Sequence, residues 1–336
     1  MNTSNIIGQS PLIAKMEQIL AGGRIVHAYL FEGPAGAGKK TMSGLFAQAL
    51  LCTKPEDKPC HECIPCKQYE SGNHPDVLWV RRLEDKTAIS VDQIRELQSE
   101  IKVKPYQEGR RICFIDEAHL MNQQSQNALL KTLEEPPSHT LFFLLAGNTS
   151  SLLPTIISRC QLLRIDNLSR EDIVTLLNKR LSIGYEEAST YEALSQGNPG
   201  QALALAGDEE FRALREQLIN GMNDAGTPKI IDLIGPFTEY KERVEDLFTI
   251  LQLWIRDIII LKETEDFNFI INRDQFPLLR KQASYFTSEA LQVMIGSIEQ
   301  SRKRLKSNTN YQLTIEAMLS HFQGGAKDAS RSRNSV

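Results

Sequence analysis

Ala28-Tyr29-Leu30-Phe31-Glu32-Gly33-Pro34-Ala35-Gly36-Ala37-Gly38-Lys39 decides the fold class. Ala28–Phe31 is a short apolar run that predicts a buried strand. It runs into a glycine loop, and a helix is expected from Lys39 to Leu51. Gly33 to Lys39 spells G-x-x-x-x-G-K. In such a loop successive backbone N–H groups face inward around phosphate oxygens, and the lysine reaches the outer phosphates. Gly33, Gly36, Gly38, Lys39 and Thr41 are therefore candidates for a nucleotide site. The residue after the lysine normally supplies a hydroxyl to magnesium; here it is Lys40. Thr41 stands about 100° further round the helix and does not simply replace it.

Further apolar runs follow. Val77–Val80, Arg111–Asp116 and Leu141–Ala146 read as strands, and Ser90-Val91-Asp92-Gln93 as a capping box for a helix with Ile94, Leu97 and Ile101 on one face. Ser125–Leu133 predicts another helix. Strands alternating with helices imply a parallel sheet covered on both faces. The third strand ends in Asp116-Glu117. In a phosphoryl-transfer site such a pair would hold magnesium and polarise a water; acidic residues also suit a helix start.

Cys52, Cys60, Cys63 and Cys66 form C-x7-C-x2-C-x2-C. Four thiolates at that spacing suit one tetrahedral zinc, closed and structural. A redox CxxC pair and disulfides are the competing readings. His61 and His74 lie close enough in sequence to substitute for a thiolate. Cys113 and Cys160 read as packed small hydrophobes.

Beyond Asp166 strands are no longer expected. Ser169 caps a helix carrying Ile173, Leu176 and Leu177, and a small helical unit reaches Gly207. From Glu209 the chain reads as amphipathic helices, one striped by Leu247, Ile250, Leu251, Trp254, Ile258 and Leu261 and another by Leu313, Ala317, Met318 and Leu319. The expected organisation is an α/β domain over 1–166 with the cysteine module inserted at 52–75, a helical lid over 167–208, a helical collar over 209–323 and a frayed tail over 324–336.

Length and composition agree. The 336 residues suggest two or three domains, and 41% apolar and 24% charged residues are ordinary globular values. A net charge of −4 excludes a strongly basic nucleic-acid coat, so DNA contact would need a local patch, with Arg81, Arg82, Arg110 and Arg111 as candidates. Neither Leu141–Ala146 nor Trp254–Leu261, broken by Arg256 and Asp257, spans a membrane. The polar start Met1-Asn2-Thr3-Ser4 has no signal-peptide core. A cytoplasmic protein is the expectation.

Several runs together resemble the AAA+ clamp-loader family of bacterial DNA polymerase III: His27–Phe31 before the loop, the four-cysteine insertion, Ser71-Gly72-Asn73-His74-Pro75-Asp76, Asn127–Pro136 (NALLKTLEEP), Ile157-Ser158-Arg159-Cys160 and Asn310-x-x-Leu313-x-x-Glu316. The resemblance covers nearly the whole chain. It implies an AAA+ P-loop domain, a small helical lid and an all-α collar that oligomerises. It further implies partnership with tau/gamma motor subunits and a delta subunit, and transient contact with a sliding clamp and primed DNA.

Within that family, motor subunits carry an arginine in a Gly-x-x-Arg-x-Ala-Leu stretch. The matching run here is Gly197-Asn198-Pro199-Gly200-Gln201-Ala202-Leu203, with Gly200 in place of the arginine. Together with Lys40, this resembles the stator type of subunit, which lacks turnover of its own; ATP and magnesium at the loop stay open. The resemblance also makes Arg159 an arginine finger for the neighbouring subunit's ATP site.

Overall fold

A computed structural model describes residues 1–4, 6–55, 57–106, 109–222, 230–264, 269–307 and 309–333, without side chains for 230–231 and 323–333. The chain divides into two compact units: Met1–Asp172 with the turn Gly197–Gly200, and Ile173–Gln196 with Gln201–Val336.

The first unit runs α1 (Ser10–Gly22), β1 (Ala28–Glu32), α2 (Lys39–Leu51), α3 (Ile64–Glu70), β2 (Val77–Val80), α4 (Val91–Glu100), β3 (Arg111–Ile115), α5 (Gln123–Glu134), β4 (Thr140–Ala146), α6 (Pro154–Ile157) and β5 (Gln161–Arg164). The five strands form one sheet in the order β2-β3-β4-β1-β5. Every pairing is parallel. The strand alternation sorts side chains onto two faces. Leu30, Cys113, Ile115, Phe142 and Leu144 pack with Ile94, Leu97, Leu129 and Ile156 on one side. Tyr29, Phe31, Phe114, Phe143 and Leu145 pack with Leu12, Met16, Met42 and Phe46 on the other. Burial on both faces explains why the strands read as unbroken apolar runs rather than as alternating ones.

Helix starts follow the local chemistry. Ser90 and Gln93 form the expected capping box at α4, Asn122 caps α5, and Ser169 Oγ accepts the Asp172 N–H at 3.2 Å. The fifth strand, β5, is absent from the sequence reading. It is four residues long, half polar and at a sheet edge, so it gains its strand character only by pairing with β1.

The second unit is helical: α7 (Arg170–Leu181), α8 (Tyr185–Ser195), α9 (Pro199–Gly207), α10 (Glu209–Met222), α11 (Ile230–Glu239), α12 (Val244–Thr264), α13 (Phe276–Tyr285), α14 (Ser288–Lys306) and α15 (Tyr311–Arg333). The α12 stripe is buried as expected, and Trp254 is 1% exposed. Asp257, which interrupts that stripe in sequence, is also fully buried. Its carboxylate accepts the backbone N–H groups of Ile271 and Asn272 and the Asn272 side-chain amide, at 2.8–3.2 Å. Burial without those donors would be prohibitive. Leu313 corrects the α15 stripe: it is 65% exposed, whereas Ile315, Met318, Leu319 and Phe322 are buried. The apolar face is thus set by the 315/318/319/322 spacing, and Leu313 lies outside it. No helix among the described residues is long and apolar enough to cross a membrane.

Candidate functional sites

The glycine loop, Asp116 and the loop after β4 all lie at the carboxyl ends of the parallel strands, where open α/β sheets place their ligand sites. The loop N-terminal to α2 presents the backbone expected of a phosphate cradle, with Gly36 and Gly38 at φ +81° and +94°. Its lysine and several of its carbonyls, however, have partners within the chain. Lys39 Nζ donates to the carbonyls of Gly33 and Pro34 at 2.7 and 2.8 Å. Its pKa is lowered, chiefly by burial, against the opposing pull of Asp116 and Glu117. Lys40 Nζ pairs with Asp116 Oδ2 at 2.7 Å. An ammonium thus holds the carboxylate that would otherwise face a divalent cation, from the position of the missing hydroxyl ligand. With Lys40 largely exposed, this pair contributes about 1 kcal/mol or less.

The turn Gly197–Gly200 completes the closure. Gly200 N–H donates to the Gly36 carbonyl at 2.9 Å, and Asn198 Nδ2 donates to the Ala35 carbonyl at 2.7 Å. A Cβ at Gly200 would stand 2.7 Å from Gly36 Cα. Gly200 therefore does more than omit an arginine; its bareness lets the turn seat directly on the loop. Thr41 and Glu117 are exposed. Glu117 adopts φ +50° and lies 3.6 Å from Arg82 Nε.

Arg159 follows the short helix α6, two residues past its end, and is half-buried. Its guanidinium donates from Nη1 to the Thr155 carbonyl at 3.0 Å and from Nη2 to Glu134 Oε1 at 2.8 Å. Glu134 closes α5, where the helix dipole disfavours a carboxylate by roughly 0.3–1 kcal/mol. The half-exposed ion pair returns a similar amount, so it adds little net stability. In the sequence Glu134 stands out only as part of the NALLKTLEEP run, and nothing local ties it to Arg159, 25 positions on.

Cys52 caps the end of α2, and Cys60, Cys63 and Cys66 return to it along the segment leading into α3. The four Sγ atoms lie within 4.8 Å of one another, with Cys60–Cys66 and Cys52–Cys63 each 4.0 Å apart. Thiolates at about 2.3 Å from a tetrahedral zinc stand about 3.8 Å apart, so the donor set fits such an ion. All four cysteines are free. Cys63 N–H donates to Cys60 Sγ at 3.3 Å. Burial raises the Cys63 thiol, but hydrogen bonds from the Thr53 and Cys66 backbone outweigh it and bring the pKa down to about 6. Burial pushes Cys66 well up. Gln48 and Glu70 brace the module: Gln48 Nε2 donates to Glu70 Oε1 at 2.9 Å and to the Cys66 carbonyl at 3.3 Å. His61 Nδ1 also bonds Glu70, at 2.5 Å, rather than joining the sulfurs, and His74 Nδ1 accepts the Asp76 N–H. Both histidines are thus outside the cluster. Cys113 is fully buried in the sheet, while Cys160 is half-buried against the core.

One basic candidate is corrected. Arg111 is 3% exposed, pairs with Asp76 and donates to the carbonyls of Glu100 and Val103, so it fastens the start of β3 instead of facing a phosphate backbone. Arg81 lies over Trp79, 4.6 Å from the ring centroid.

Comparisons with known proteins converge on one family. A family model described as "DNA polymerase III, delta subunit" matches residues 8–169, and its C-terminal counterpart matches 209–324. The delta-prime subunit of Bacillus subtilis is 31% identical, over 90% of this chain and 92% of its own. That of Pseudomonas aeruginosa is 32% identical, over 89% and 92%. The tau subunit of Bacillus subtilis is 26% identical over 94% of this chain, which spans only 60% of tau. The solved structure of a gamma subunit-related protein from Thermotoga maritima aligns with 94% of this chain and 99% of its own at 18% identity and a TM-score of 0.43, too remote to add to the assignment. On the family matches and the full-length likeness to delta-prime subunits, the chain belongs to the DNA polymerase III delta-prime family of bacterial clamp-loader subunits.

Proposed function

We propose that this chain is the fixed, non-hydrolysing subunit of a clamp loader, and that it donates Arg159 to the ATP site of a neighbouring motor subunit. The observation that carries the first half is the Lys40–Asp116 pair at 2.7 Å, which puts a cation of the chain's own at the metal position. Such a subunit gives the motors a wall to work against. They open a sliding clamp and place it on primed DNA. Its α/β part (1–166), helical lid (167–208) and collar (209–323) divide the work, the collar assembling with tau/gamma and delta subunits. DNA contact is modest and confined to the phosphate backbone, with Arg81, Arg82 and Arg110 as its candidates.

The arginine-finger half rests on the half-exposed guanidinium after α6. A finger supplied in trans stabilises charge on the transferring phosphoryl group and is worth up to 10³–10⁵ in rate in the best cases. We expect about 10²-fold from Arg159→Ala in a motor with other contributions. The test is ATP turnover by the purified chain alone, and by the assembled loader with clamp and primed DNA. No turnover alone, and complex turnover that falls in Arg159→Ala, is the expected result. Substantial turnover by the isolated chain, abolished by Lys39→Ala, would instead make it a motor.

Cys52, Cys60, Cys63 and Cys66 hold a structural zinc in this reading. The ion would crosslink the end of α2 to the start of α3 and supply folding energy rather than chemistry.

A further inference from the structure

A guanidinium offers five N–H donors, and its usefulness in a neighbour's site depends on which of them remain available and where the plane points. Here one N–H from each terminal nitrogen is taken, by the Thr155 carbonyl at 3.0 Å and by Glu134 Oε1 at 2.8 Å. The three remaining N–H groups are left for another acceptor. Thr155 belongs to α6, the element Arg159 itself follows, whereas Glu134 comes from the end of α5. The guanidinium is therefore bracketed between two elements rather than swinging on its own stem.

The pair is poorly placed as a stabilising device. Glu134 sits at the dipole-disfavoured end of its helix and is 49% exposed, and Arg159 is 34% exposed, so water competes with both. What the contact does supply is order. An unrestrained arginine would have to give up its rotamer freedom at each catalytic encounter, and ordering it beforehand leaves more binding energy for the transition state.

We propose that Glu134 is the positioning residue for Arg159, holding the guanidinium plane in the attitude that a neighbouring subunit's nucleoside triphosphate meets. This rests on the reading of Arg159 as a finger in trans. Its opposite would be a parking contact that withholds the arginine until the partner pulls it away, and the two predict rate changes of opposite sign.

The experiment compares parent, Glu134→Ala, Glu134→Gln, Arg159→Ala and Glu134→Ala/Arg159→Ala chains, each assembled with the ATP-hydrolysing partner subunits and assayed for steady-state ATP turnover. Positioning predicts a kcat lowered about three- to tenfold in Glu134→Ala, with KM little changed. A smaller loss is expected in Glu134→Gln, which keeps an acceptor, and no further loss when Arg159 is already alanine. Turnover in Glu134→Ala equal to or above the parent, with Arg159→Ala still slow, would overturn the positioning role and leave the finger standing. An added loss in the double variant would also overturn it, because Glu134 would then act through something other than Arg159. Parent-like turnover in Arg159→Ala would overturn the finger and this inference with it.

Discussion

The glycine loop and the cysteine module flank α2, and each is announced by a recognisable spacing, over Gly33–Lys39 and Cys52–Cys66. The structure treats them in opposite ways. Around the loop, the lysine, a carboxylate and two carbonyls have internal partners: Lys39 has two carbonyls, Asp116 has Lys40, and the carbonyls of Gly36 and Ala35 have the 197–200 turn. In the cysteine module, four sulfurs converge within 4.8 Å and look to one another. Cys63 N–H donates to Cys60 Sγ, while the Gln48–Glu70 brace holds the Cys66 carbonyl and leaves the sulfurs facing one another. In the reading proposed above, internal contacts thus separate a loop braced by its own chain from a module arranged for a zinc. The motif string alone does not.

Breaking the module should have the largest effect. Cys66→Ser removes a buried thiol of the proposed zinc set, and the bound zinc measured by atomic emission should fall from about one equivalent to near zero. Loss of a structural ion of this kind is worth several kcal/mol, which urea unfolding would register. Parent zinc content in that variant would mean that the sulfurs serve some other purpose.

Gly200→Ala comes next. Its Cβ meets backbone of Gly36 at 2.7 Å, and neither partner is a flexible side chain that could give way. The turn or the loop must shift, at about 1–3 kcal/mol. A parent-like unfolding free energy would show that the two segments do not depend on one another. Lys40→Ala is the milder lesion: Asp116 keeps a nearly buried side chain without its cation, and a loss of about 1 kcal/mol is expected. Lys40→Ser sharpens the comparison further, since it restores the hydroxyl but leaves the 197–200 turn seated. Mg-ATP should still fail to raise its unfolding temperature. A rise would show that Lys40 alone keeps the loop shut.

Much of this was legible in advance, and the residues say why. The apolar strands β1–β4 and their helices are local patterns, and so are the P-loop string and C-x7-C-x2-C-x2-C. Lys40 and Gly200 stood out as departures at single positions. What escaped depends on distant partners. β5 becomes a strand through β1. Asn198 reaches a carbonyl 163 residues away. Arg111 looks like a surface cation in a basic run, yet a buried Asp76 claims it. Leu313 fits a helical stripe by hydropathy, and packing selects a different face.

The most direct test of the account pairs two variants in the assembled loader, Lys39→Ala and Arg159→Ala, with ATP turnover measured in the presence of clamp and primed DNA. Parent turnover is expected for Lys39→Ala and a fall of about 10²-fold for Arg159→Ala. Turnover lost with Lys39→Ala and retained with Arg159→Ala would contradict it.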